Sequence, residues 1–163
     1  MNIINRPEYI TEKAYDDAIN IYLSRLDNIE GIISINTMGS ISALGLSDID
    51  VIVVVEDDFL LEKSALLSVK GIDDRLFIHG PIVIPKCLAE YFQYIIYATN
   101  IRSIRGPELL KDISDIQEDE IYSLLLCYLI DFIESRYLQF SQVELTGEID
   151  QRAWLARLWS ITH

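Results

Sequence analysis

An α/β (α+β) fold, with a mixed sheet flanked by helices and a helical C-terminal extension, is the architecture predicted by this sequence of 163 residues. Three observations predict it. Strand-like and helix-like patterns alternate as far as Pro107, residues 50–55 (DVIVVV) form an almost unbroken β-branched run, and only helical periodicity follows Pro107. Alternating strands and helices build a sheet covered by helices, and the later helices must pack on that core or on each other. The division expected is a core over residues 1–108 and a helical region over residues 109–163.

The elements follow in order. Residues 7–26 carry Ile10, Ala14, Ala18, Ile21 and Tyr22 at helical spacing, with Pro7 suited to a first turn. Residues 28–31 end that helix. Residues 32–38 (IISINTM) alternate as a strand until Gly39-Ser40 breaks it, and the DVIVVV run reads as a strand covered on both faces. Residues 59–69 form an amphipathic pattern stopped by Gly71. Residues 75–85 (RLFIHGPIVIP) read as a further strand, bulged or at an edge, because Pro81 cannot donate to a ladder. Residues 86–98 are helical in pattern, and 101–104 suggest a short strand before Gly106-Pro107.

Past Pro107, Asp115 and Glu118 form a capping-box pattern that opens a long helix through Ile121, Leu124, Leu125, Tyr128 and Phe132 to about Phe140. A last amphipathic helix starts near Asp150, carries Trp154, Leu155, Leu158 and Trp159, and reaches His163 without a stop signal. It is expected to dock on a partner or to continue in a longer protein. A homo-oligomer through the C-terminal helices is one form of that docking.

Charge narrows the partners. Lys and Arg total 13 against 26 Asp and Glu, a formal net charge of −13. Nucleic-acid affinity comes mainly from Lys and Arg displacing counterions, so an extended DNA or RNA partner is not expected. A small nucleotide remains compatible, because bound metal screens its phosphates locally. Cys87 and Cys127 sit in apolar sequence without a CxxC or Cys/His pattern and read as buried, inert thiols. The N-terminus lacks a basic start followed by an apolar run, and residues 121–133 are too short an apolar stretch for the ~20 residues that span a bilayer. The expectation is a cytoplasmic protein with no membrane partner.

The chemistry lies in residues 38–57, MGSISALGLSDIDVIVVVED. A strand ends in Gly39-Ser40, where a missing Cβ and a short hydroxyl let a ligand approach the backbone. Exposed amides at such a turn favour phosphate. Asp48 and Asp50 follow at the mouth of the next strand, two apart and therefore on one side, roughly 6.6 Å between Cα atoms. Two carboxylates beside a phosphate-binding turn suit Mg²⁺ held jointly by protein and substrate phosphates. The bland reading is a common turn next to acids that solvate a strand end.

This segment resembles the signature of the DNA polymerase beta-like nucleotidyltransferase superfamily: Gly-Ser, a spacer, then Asp-hydrophobic-Asp entering a hydrophobic strand. The spacer, with Ala43, Gly45 and Ser47-Asp48-Ile49-Asp50, is most similar to minimal and aminoglycoside nucleotidyltransferases, though somewhat short. The surrounding helix–strand order extends the likeness loosely over residues 6–108. The resemblance implies a nucleotidyltransferase-type mixed sheet, with Gly39, Ser40 and Ser47 binding a nucleoside triphosphate such as ATP. It implies Asp48 and Asp50 as catalytic ligands of Mg²⁺ (or Mn²⁺), two ions about 3.5–4 Å apart. The implied reaction is transfer of a nucleoside monophosphate to a hydroxyl of a small-molecule or protein acceptor. The acidic surface favours a cationic acceptor.

The pattern fails at one place. Active members carry a third carboxylate on the next strand, and here the corresponding positions are His79, Gly80 and Pro81. Asp73 and Asp74 lie at the start of that segment and are expected to be too far away. Either His79 replaces the missing acid as a catalytic base, although neutral nitrogen is a poor Mg²⁺ ligand, or the fold is catalytically degenerate and acts as a nucleotide-binding or protein-interaction module. Arg102 and Arg105 are weaker candidates for a triphosphate or acceptor, against a role in neutralising nearby acids. Tyr91, Phe92, Tyr94 and Tyr97 read mostly as core, as do Trp154 and Trp159 at a helix interface.

Overall fold

The computed structural model describes residues 2–59, 61–96 and 98–162. Tyr97 and His163, and the side chains of Phe140 and Trp159, lie outside what is described. The fold is mixed α+β, with two sheets containing both parallel and antiparallel pairs.

The first sheet carries the core. Strand β1 (Asn2–Ile4) precedes helix α1 (Glu12–Leu26), and β2 (Ile32–Met38) and β3 (Asp50–Val55) follow as an antiparallel pair. Strand β4 (Ile82–Pro85) lies parallel to β3, and β5 (Arg102–Arg105) lies antiparallel to β2, giving the order β4-β3-β2-β5. Strand β3 is covered on both faces because its alternate residues feed two cores. Val51, Val53 and Val55 meet Tyr15, Ala18, Tyr22 and Leu26 of α1, while Ile52 and Val54 meet Ile84, Ala89 and Phe92 on the other side. Burying such side chains contributes about 1.5–3 kcal/mol each, before the entropy of ordering them is subtracted.

Several expected elements shift. Helix α1 starts after Thr11, whose hydroxyl caps the Ala14 amide, rather than at Pro7. The capping box sits at Asp112 and Asp115 and closes a short 3₁₀ turn at Ile113–Asp115. The amphipathic segment after Phe59 is a 3₁₀ stretch, Leu61–Leu67. Lys86–Tyr91 is likewise 3₁₀, followed by the short helix α2 (Phe92–Ile95).

The expected strand over residues 75–85 is only half present. Residues 73–81 are a turn at 74–76 followed by irregular, bent chain, and the strand begins at Ile82. The reason lies in Leu76 and Phe77: these neighbours both pack into the one core that holds α1, whereas adjacent residues of a strand point to opposite faces of the sheet. The turn is closed by the Leu76 and Phe77 amides, both donating to the Asp73 carbonyl.

The C-terminal region contains α3 (Glu118–Thr146), β6 (Glu148–Asp150) and α4 (Gln151–Thr162). Strand β6 pairs in parallel with β1, an element for which neither sequence pattern gave a signal. Helix α3 leaves Tyr122, Leu126, Leu129, Ile130, Ile133 and Tyr137 exposed. Cys87 and Cys127 are both exposed, which corrects the expectation of buried thiols. Cys87 turns its amide to Asp57 Oδ1 at the start of a 3₁₀ turn, and Cys127 lies on the exposed flank of α3. Of the aromatics near residue 92, Phe92 is core, whereas Tyr91 and Tyr94 are about half exposed. Among the described residues no helix is long and apolar enough to cross a membrane.

Candidate metal centre between two cavities

The site is built where β2 hands over to β3. Met38 pairs with Asp50, so the end of one strand abuts the start of the next. Gly39 continues with φ +75°, a left-handed conformation that side chains disfavour, and its amide donates to the Thr99 carbonyl at 2.7 Å. That amide is therefore engaged by the segment ahead of β5. Ser40 is exposed, with its Oγ 3.3 Å from Ser42 Oγ.

The loop that returns to Asp48 is held from α1. The buried Tyr15 hydroxyl donates to the Ser47 carbonyl at 2.9 Å and accepts from the Gly45 amide at 3.1 Å. Ser47 Oγ accepts from the Ala43 amide at 3.2 Å, which makes Ser47 an organiser of the loop. Tyr15→Phe removes a partner from a buried amide and a carbonyl together. It is expected to destabilise the protein by about 1–3 kcal/mol, read by denaturant unfolding.

Gly45 is tighter still. It has φ +85°, and a Cβ there would lie 2.0 Å from the Glu8 carbonyl oxygen. Gly45→Ala combines left-handed strain with a backbone clash, and an expected loss of roughly 3 kcal/mol or more would lower the melting temperature by about 6 °C or more.

His79 reaches the site from the turn segment anchored by Leu76 and Phe77. The Ile49 amide donates to the Leu76 carbonyl at 2.8 Å, which ties this segment to the residue between the two aspartates. His79 Nε2 lies 2.7 Å from Asp50 Oδ1 and 3.8 Å from Asp48 Oδ2. Its Nδ1 lies 2.8 Å from the Gly80 carbonyl. A carbonyl only accepts, so Nδ1 carries a proton in either charge state. One donor atom each from Asp48, Asp50 and His79 fits within 4.8 Å of the others.

Electrostatics distinguish the three. Burial, then the charge of Asp50, raises the Asp48 pKa above its ordinary 3.8, opposed by its own backbone hydrogen bond, His79 and Arg152. The hydrogen bond to Asp50 pushes the His79 pKa up to about 9 against the opposing effect of burial, with help from the Gly80 carbonyl. A carboxylate whose folded pKa is raised weakens folding as pH climbs through its titration. Asp48→Asn is therefore expected to melt above the parent protein at pH 7 in a scan with chelator.

Two cavities meet at Asp48 and Asp50. One, of about 310 Å³, is lined by Thr37, Gly39, Ser40, Ile41 and Arg102 together with both aspartates. Arg102 belongs there because β5 pairs it with Thr37. Arg105 does not: at the other end of β5, its guanidinium donates to the Leu23 carbonyl and pairs with Asp27 at the end of α1. The other cavity, of about 590 Å³, is lined by Asn5, Asp74, Arg75, Asp150 and Arg152, again with both aspartates. Both volumes are in the range of small-ligand pockets, about 300–1,000 Å³.

The larger cavity contains residues that the sequence reading missed or dismissed. Asp74 lines the wall of this cavity but is not among the side chains that converge with Asp48 and Asp50, and Asp73 is engaged by Arg75. The turn over residues 73–81 brings Asp74 round. Asn5 and Asp150 come from opposite ends of the chain and hydrogen-bond at 3.1 Å. Arg152 is 6% exposed, gives its amide to the Asn5 carbonyl, and reaches the Ser47 carbonyl at 3.4 Å. Among the described residues its Nε has no partner and no carboxylate lies within ion-pair distance of it.

No protein-family model, no curated protein and no solved structure matches this chain.

Proposed function

We propose that this protein is a divalent-metal-dependent nucleotidyltransferase that moves a nucleoside monophosphate from a nucleoside triphosphate to a hydroxyl of a small-molecule or protein acceptor. The observation that carries this reading is the position of Asp48, Asp50 and His79: their donor atoms converge, and both aspartates line the two cavities that meet there. The donor set fits a cation. Burial, then the neighbouring charge of Asp50, raises the proton affinity of Asp48, and a cation between the carboxylates would offset both.

In this reading the smaller cavity takes the triphosphate, with Ser40 and Arg102 as its polar contacts, and the larger takes the acceptor. A cation held by Asp48, Asp50 and His79 supplies charge neutralisation for the α-phosphate and the leaving pyrophosphate. The chain's own residues position the two substrates on either side of one carboxylate pair, which favours in-line displacement. In the larger cavity the acceptor hydroxyl would give up its proton to solvent as the new O–P bond forms and pyrophosphate leaves. Asp74 and Asp150 add negative charge to the acceptor side and support a cationic acceptor.

The test is incubation of the purified protein with each α-labelled triphosphate, Mg²⁺ or Mn²⁺, and cell extract. Label transferred to a small molecule or protein supports the reading. No product with any of the four nucleotides and either metal overturns it.

A second reading has its own observation. The 2.7 Å contact between His79 and Asp50, with the His79 pKa pushed up to about 9, places an imidazolium against the carboxylates at neutral pH. That arrangement supports a nucleotide-binding or protein-interaction module without turnover. It is the better reading if triphosphate binds by calorimetry equally well to the protein and to Asp50→Asn while neither yields product.

A further inference from the structure

We infer that His79 is a direct metal ligand and that it tunes the centre toward a d-block divalent cation, such as Mn²⁺, in preference to Mg²⁺. The inference rests on the proposed metal-dependent reading and deepens it by naming the ligand set and the class of cation. Three features carry it.

The first is orientation. His79 Nδ1 donates to the Gly80 carbonyl at 2.8 Å, and Nε2 points at Asp50 Oδ1 and Asp48 Oδ2, 2.7 and 3.8 Å away. A metal-bound histidine has this arrangement: the distal nitrogen is tied to a carbonyl, which fixes the ring and leaves the other nitrogen for the cation.

The second is spacing. Ligands at about 2.0–2.2 Å from a cation lie about 3 Å apart when adjacent and about 4.2 Å apart when opposed. The distances of 2.7 and 3.8 Å lie either side of the adjacent-ligand value, inside a set spanning at most 4.8 Å, so small side-chain movements would seat an ion.

The third is chemistry. Mg²⁺ demands oxygen ligands and gives little for an imidazole, whereas imidazole suits Mn²⁺ and the later first-row cations. An Asp₂His set therefore gives up Mg²⁺ affinity that a third carboxylate would supply and gains affinity for nitrogen-accepting metals.

Carboxylate-only sites also prefer Mn²⁺ to some degree, so the decisive quantity is the change made by His79. The experiment measures binding of Mn²⁺ alone and Mg²⁺ alone by calorimetry. It also records electron spin-echo modulation of bound Mn²⁺ on natural-abundance and ¹⁵N-histidine-labelled protein. The parent protein should show nitrogen coupling that changes with the label, and its Mn²⁺-to-Mg²⁺ affinity ratio should exceed that of His79→Asp by tenfold or more. His79→Gln should lose the nitrogen coupling while retaining the fold by circular dichroism.

Absence of histidine nitrogen coupling in the parent protein overturns the inference, and needs no variant to fold. So does an unchanged ratio in His79→Asp, or failure to bind Mn²⁺ at all. Failure of the proposed function looks different: nitrogen-coupled Mn²⁺ without nucleotidyl transfer keeps the metal assignment and discards the reaction. Transfer supported by Mg²⁺ without nitrogen coupling does the reverse.

Discussion

Asp50→Asn is expected to reduce nucleotidyl transfer by about 10³-fold or more, equivalent to roughly 4 kcal/mol of barrier. The side chain lines both cavities and lies 2.7 Å from His79 Nε2, so its charge acts on cation, substrate and histidine together. Asparagine keeps the shape and hydrogen-bonding oxygen but removes the charge that a divalent ion requires. The loss should appear in kcat as well as KM, because charge stabilisation is needed most as pyrophosphate departs. Steady-state rates with labelled triphosphate, on variant protein shown to be folded by near-ultraviolet circular dichroism, make the measurement. Retention of more than a tenth of the parental rate would remove Asp50 from the catalytic centre.

The second large effect is on the His79 proton. In protein kept free of metal by chelator, the imidazole should titrate near pH 9, and in Asp50→Asn its midpoint should fall toward the ordinary 6.5. The carboxylate hydrogen bond is the largest cause of the raised value, so its removal leaves burial working against the charged ring. Histidine ring resonances followed by NMR from pH 5 to 10 report this directly.

The stability consequence has a definite sign. A folded pKa above the unfolded one means the pair contributes fully below about pH 6.5 and loses that contribution as pH rises toward 9. Because the ring is 48% exposed, solvent screening limits the contribution to roughly 1 kcal/mol or less. Stability measured by urea titration across that window should therefore decline slightly in the parent protein and not in Asp50→Asn.

How legible the site was depends on how local each contribution is. The DVIVVV run announced a doubly covered strand because both faces of β3 are apolar, and composition alone records that. The Gly39 turn was legible because a left-handed residue leaves few choices of side chain. The turn over residues 73–81 was not. Its alternating appearance concealed two neighbouring buried residues, and with them the cavity wall that Asp74 forms. Asn5, Asp150 and Arg152 carried no signal, since their places depend on a pairing between strands of three residues at distant points in the chain. Three residues have too little periodicity to identify a strand. Cys87 and Cys127 were misplaced because apolar neighbours in sequence did not make apolar surroundings in space.

The parallel union of β1 with β6 also orders events during folding. Tyr15 and Ser47, which brace the aspartate loop, are 32 positions apart, whereas Asn5 and Asp150 are 145 apart. Closing the longer span costs about 1.3 kcal/mol more in chain entropy, and its partners leave the ribosome only after the β2–β3 hairpin has been synthesised. The carboxylate pair can thus be in place while one wall of the larger cavity is still undelivered. Nascent chains stalled before residue 148 should acquire the loop brace and lack Arg152, separating the birth of the half with the paired carboxylates from that of the chamber beside it.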